Sequence, residues 1–298
     1  MRMKKLIALA SLIILFSCQK KSEETTATTE APVTPSFENE RKAFFNSLLT
    51  PSDAAARIQA TGADFNASLL NDPKKFGSYS NNEGKAAANL GVYLADLNYC
   101  IAYKQSAHVK AIFPAAHALS KSVGIEQTVL DFLMKRYNDN LAKNDSVKAV
   151  ANDLLAKTTR DVEGTSREKA VGIAMSAYQI ENLHLLLGLI SSYPKDMLPT
   201  DARTQVLIPA FRAVLEQKNN VEIIYGFLKS VTDPANPDQN PNYPYYAQAF
   251  EELIAVYKKL NVDEMIANNK GIELMNDAVV AELSAKVDAI RSKIVTPE

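Results

Sequence analysis

From Phe37 onward the apolar residues recur at helical spacing, and strand-type alternation is almost absent. A chain patterned in this way buries its apolar stripes by packing helix on helix. The periodicity predicts helices over 37–49, 51–60, 64–70, 83–104, 106–122, 126–143, 146–161, 166–192, 201–217, 220–230, 243–260 and 273–294. Their punctuation agrees. Thr50-Pro51-Ser52-Asp53 offers an N-cap, a proline at the first helical position and an acid in the first turn. Ser80 to Glu83 and Thr165 to Glu168 fit capping boxes, and Gly124 and Gly164 stand where helices should stop. Pro114 and Pro209 fall inside two helices and should kink or split them. The ten glycines are too few and too dispersed for a turn-rich sandwich or barrel. Leu90-Gly91-Val92-Tyr93 resembles part of a tetratricopeptide signature, but its spacing is one residue short and nothing echoes about 34 residues on. The expected fold is all-α, a compact multi-helix bundle with two central buried helices and no regular solenoid repeat.

Those two helices are 83–104 and 166–192, each apolar around most of its circumference for much of its length. Asp96, Asn98, Glu181, Asn182 and His184 make them too polar to be membrane spans. At about 100° per residue, Asn89, Val92, Cys100 and Tyr103 fall within about 40° of Asp96. A carboxylate in that setting is either a functional acid or a hydrogen-bonded buried group that fixes helix register. Glu181 and His184 form a Glu-x-x-His pair on one helix face. Di-iron bundles need two such pairs and two further Glu, so a single copy argues against a metal, and no cofactor is expected. His108 and His117 lie nine residues apart, on opposite faces of an ideal helix, and do not complete a site. Asp96, Glu181 and His184 are the catalytic candidates if chemistry occurs at all. Ser166 to Lys169 matches Ser-x-x-Lys, but its companion motifs are missing and a helix cap accounts for the same residues. Tyr243, Tyr245 and Tyr246 follow a Pro-rich loop at 232–242 and are candidates for a binding surface or for core packing.

Residues 1–18, MRMKKLIALASLIILFSC, have a basic start, an apolar run too short to span a bilayer, and a closing Leu-Phe-Ser-Cys. That ending resembles a lipobox. The resemblance implies a signal peptide over 1–17, lipidation of Cys18 with acyl chains such as palmitate, and stable attachment to a membrane. With Cys18 so used, Cys100 stands alone and no intramolecular disulfide is available. It sits in an apolar run and reads as an inert buried thiol. Residues 18–36 hold the lipidated Cys and a tether rich in Thr and Glu, and 37–298 form one helical domain. Residues 19–35 reach at most about 60 Å and typically about 23 Å. Gln19 is not the Asp that retains such lipoproteins in the inner membrane, which implies the outer membrane. Lys20 to Glu24 partly resembles the surface-export signals of Bacteroidota lipoproteins, so both the periplasmic face and the cell surface stay open.

The whole chain carries a net charge of −1, and −4 once the three cations of the first 17 residues are set aside. No basic cluster suits nucleic acid. Phosphate-binding Gly loops, Gly-x-Ser-x-Gly, Cys-x-x-Cys and His-Glu-x-x-His are all absent. Leu90 to Tyr99, Leu119 to Ile125, Thr61 to Pro73 and Ile180 to Leu183 together resemble a family of helical lipoproteins of Bacteroidota that has no assigned activity. Asp145-Ser146-Val147 resembles an envelope O-glycosylation signal and serves equally as a helix cap. The expected function is a non-catalytic binding or accessory module of the cell envelope, anchored in the outer membrane, with an envelope protein or glycan as partner. The alternatives are an envelope enzyme using an Asp/Glu/His cluster, and a carrier of an apolar ligand.

Overall fold

The computed structural model describes residues 63–124, 167–192, 200–231, 242–260 and 278–297, with 39, 40, 43 and 264 as isolated positions. Cys18, the tether, the loop 232–241, Asp145, Gly164 and the helices expected over 51–60, 126–143 and 146–161 lie outside the described residues, as does most of 37–49. All that is described belongs to one unit spanning Val33–Glu298. The described residues contain seven helices of three turns or more: α1 Glu83–Ala102, α2 Ser106–Ser122, α3 Glu168–Ser192, α4 Thr200–Glu216, α5 Lys218–Val231, α6 Asn242–Lys259 and α7 Ala278–Val295. The fold is all-α, with no strand among the described residues.

α1 begins where the side chain of Asn82 accepts the Lys85 amide. The expected cap at Ser80 is therefore corrected by two residues, and the Ser80 hydroxyl bonds Gly77 O instead. At its other end, Gln105 N–H reaches Cys100 O and Lys104 N–H reaches Ile101 O, a Schellman closure that places Lys104 at φ 56°. α2 stops at Gly124, whose φ of 69° needs no side chain to be accommodated. α2 and α4 run unbroken through Pro114 and Pro209. Both prolines are exposed, so their rings take no space from the core.

α1 packs most extensively on α3 and next on α2, while α7 packs on α3, α6 and α1. The first contact is very close. A methyl group on Gly91 would fall on the Ala174 carbonyl oxygen and within 2.9 Å of the Tyr178 nitrogen. α3 is long and apolar enough to cross a membrane, yet 78% of its most apolar window is buried inside the protein, as a core helix requires.

The helix expected over 64–70 is not formed. Residues 63–72 run antiparallel to α1 and hold a single 3-10 turn at Ala67–Leu69. Outside that turn, their backbone is bonded to side chains of α1. Tyr103 OH donates to Ala63 O at 2.7 Å, Asn66 N–H to Tyr99 OH at 2.8 Å, Asn71 N–H to Asp96 at 3.0 Å, and Tyr93 OH to Asp72 O at 2.9 Å. These bonds supply what an isolated short helix could not recover after its nucleation cost.

The C-terminus of α7 is closed by the first turns of α1 and by Tyr79 just before them. Lys85 Nζ donates to Lys293 O and Thr296 O, Asn89 Nδ2 to Ile294 O, and Tyr79 OH to Val295 O. Four consecutive carbonyls are satisfied by side chains, and the Lys85 cation complements the negative end of the helix.

Two substitutions test these contacts by urea denaturation. Gly91→Ala must push two backbones apart and should cost about 3 kcal/mol or more. Lys104→Gly relieves a left-handed non-glycine residue and should add about 0.5–1 kcal/mol.

Candidate functional site

The polar side chains of α1, α3 and α7 meet in the interior. Asp96 and Glu181 are both 0% exposed, and their carboxyl groups lie within hydrogen-bonding reach of one another. From α7, Arg291 Nε donates to Glu181 Oε2 at 2.7 Å and Nη2 to Oε1 at 2.8 Å, a bidentate fork. Nη2 also donates to Leu69 O at 3.0 Å, which ties the non-helical segment to the same guanidinium. Asn71 N–H donates to Asp96 Oδ2, and Asn71 Nδ2 makes a long contact of 3.5 Å with Asn89 Oδ1.

One turn on along α3 and one turn back along α7, His184 Nδ1 lies 2.9 Å from Asp288 Oδ1, at the edge of the cluster. Asp288 is largely solvated. His184 Nε2 is buried without a hydrogen-bond partner. The three candidates Asp96, Glu181 and His184 thus share one neighbourhood, but Glu181 and His184 each face a residue of α7 rather than each other. Arg291 was not legible in the sequence as a site residue. Its one signal is that it falls beside the apolar stripe Leu283, Val287, Ile290 and Ile294, where a cation requires a partner.

The electrostatics follow from burial. Desolvation, then the neighbouring Glu181 charge, push the Asp96 carboxyl well above its ordinary range; Asn71 N–H and Arg291 oppose this and do not prevail. Burial pulls Arg291 down, but Glu181, Asp96 and Asp288 more than offset it and the guanidinium is held more firmly charged than usual. Burial, helped by Asp96, pushes the Cys100 thiol up to about 12, so this buried free cysteine is a poor nucleophile. No group of three or more His, Cys, Asp or Glu that could hold a metal occurs among the described residues.

The three tyrosines separate. Tyr243 is wholly buried and Tyr246 nearly so, because both fall on the core face of α6. Tyr245 is half-buried and lines an open groove of about 360 Å³ between α6 and α7. Ala249, Ala285, Ala289 and Ile290 form part of its wall. Its charged members include Glu252, bridged to Lys286 at 3.0 Å, and Lys293, whose ammonium stands 5.0 Å from the Tyr245 ring centre. The Lys286 hydrogen bond, against a smaller effect of burial, holds Glu252 below the usual carboxylate range.

Comparison with known proteins gives no matching family model, no similar curated protein and no similar solved structure.

Arg291→Leu tests the cluster. It leaves Glu181 charged and unpaired in the core and should cost about 3–5 kcal/mol in chemical denaturation. The double variant Arg291→Leu with Glu181→Met should recover most of that loss, since an apolar pair removes the stranded charge.

Proposed function

We propose that this chain is a lipid-anchored helical module of the bacterial envelope that binds an envelope protein and performs no chemistry of its own. The observation that carries this reading is the state of Glu181. It has no solvent exposure, and both its oxygens accept from Arg291. An acid–base catalyst needs a carboxyl that a substrate can reach. This one is committed to joining α3 to α7, so the interior polar residues serve the fold and leave partner recognition to the surface. Tyr245 and the α6–α7 groove supply a surface of suitable chemistry, with one aromatic ring among paired charges. The lipobox-like Leu15 to Cys18, followed by Gln19 and a polar tether, supports attachment through Cys18 to the outer membrane. Resemblance to the helical lipoproteins of Bacteroidota supports the same assignment. The carrier alternative calls for an apolar cavity lined by Leu, Ile and Tyr, whereas this groove is open and its lining includes two Glu and two Lys.

The test is in-cell crosslinking of tagged protein in its host, with mass spectrometry of what is recovered. Labelled palmitate should enter the wild-type chain and not Cys18→Ala. A protein recovered reproducibly with wild type should be depleted at least fivefold with Tyr245→Ala, whose thermal melt confirms that it is folded. Recovery of nothing beyond the Cys18→Ala control would overturn the binding role, and unlabelled wild-type protein would overturn the anchor.

A further inference from the structure

We propose that Asp96 is carried in the folded protein as a neutral carboxylic acid, with its proton on Oδ1 donated to the Glu181 carboxylate. The interior then holds an acid–carboxylate–guanidinium unit that loosens as the pH rises.

The assignment begins with hydrogen-bond accounting. Asp96 Oδ2 accepts the Asn71 N–H, while Oδ1 is buried with no partner. Between two carboxylates there is no donor, so Oδ1 stays orphaned unless one group carries a proton. Glu181 already accepts from Arg291 with both oxygens and is best kept ionised by that fork. The proton therefore belongs to Asp96, where it satisfies the orphan and gives Glu181 a third donor.

Charge accounting gives the same answer. The groups facing Asp96 come from three sides. The segment 63–72 brings Asn71, and Asp72 lies nearby behind Tyr93. α3 brings Glu181, with His184 one turn on, and α7 brings Arg291, with Asp288 one turn before it. α1 itself brings Tyr93, Tyr99 and Cys100, all pushed up chiefly by burial and hence neutral. At the centre one guanidinium faces two carboxyl groups, and a second ionised carboxylate would leave a net negative charge sealed from water. The upward push on Asp96 from burial and from Glu181 agrees with the geometry.

The sign of the pH effect follows by linkage. A carboxyl whose folded value is raised binds its proton more tightly in the folded chain. Its stabilising effect is complete below the unfolded value, about pH 4, and is lost as pH climbs to the folded one. Ionisation sets Asp96 against Glu181 for the single guanidinium and weakens the hold on α7.

Asp96→Asn provides the test, because an amide reproduces both bonds without a titrating proton. Nδ2 donates to Glu181 and Oδ1 accepts from Asn71. Urea unfolding of wild type and variant should be measured from pH 4 to pH 9. The ratio of the wild-type unfolding constant to that of the variant should rise by up to tenfold per pH unit above about pH 4 and then level off. His184 and Asp288 are present in both proteins, so their titration cancels in the ratio. Infrared spectra of wild type near neutral pH should show the carbonyl stretch of one un-ionised carboxylic acid, absent from the variant and lost from wild type at alkaline pH. Parallel pH profiles, or a wild-type spectrum without that band, would overturn the assignment. The wild-type infrared titration stands by itself should Asp96→Asn fail to fold.

Discussion

A guanidinium buried against a carboxylate is the constraint on which the arrangement of this bundle depends. Arg291 and Glu181 stand 110 residues apart in sequence, and among the described residues neither has another counter-charge as well placed. Such a pair adds little net stability, because desolvating two ions costs about what their attraction returns. What it does is exclude alternatives. Sliding α7 by one residue would swing Arg291 about 100° away and strand Glu181 in the core. The apolar stripe of α7, Leu283, Val287, Ile290 and Ile294, tolerates many small displacements, whereas the fork tolerates almost none. Position along α7 is therefore set by charge and burial by the stripe.

The remaining polar contacts extend that lock. Arg291 also holds Leu69 O, and α1 holds the rest of 63–72 through Tyr93, Asp96, Tyr99 and Tyr103. Gly91 brings α1 and α3 to backbone contact, so Asp96 and Glu181 come within reach despite their short side chains. Small-residue packing and polar pairing thus act together: without the close crossing the two acids would not share a proton.

The helices were legible because each carries its own periodic stripe and local end signals. α1, α2, α3 and α6 start and stop within about two residues of the expectation, which is the ordinary scatter of helix ends. Asp96 and Glu181 were legible as groups that needed partners, because each interrupts an apolar face. Their partner Arg291 was not, nor were Lys85, Asn89 and Tyr79 as caps of α7. Those bonds span more than 100 residues and leave no trace in local spacing. The expectation of a helix over 64–70 fails for a related reason, since bonds to residues 21–40 positions away leave no local signal either. Leu69 and Leu70 sit at plausible helical positions, and the α1 tyrosines that claim the backbone of this segment belong to the next long helix. Tyr243, Tyr245 and Tyr246 could be grouped from sequence but not sorted, since which of them faces outward depends on where α7 docks.

The distance along the chain between Glu181 and Arg291 has a consequence for synthesis. The α1–α3 pair is complete in sequence once residue 192 has been added to the chain, with about a hundred residues still to be made before Arg291. A nascent chain that closed this crossing early would shut Glu181 away from water with no cation to meet it. The penalty falls on premature collapse alone, since it vanishes when α7 arrives. The burial cost of Glu181 is thus met only in the chain that also carries α7, which ties the packing of α1 on α3 to the far end of the sequence.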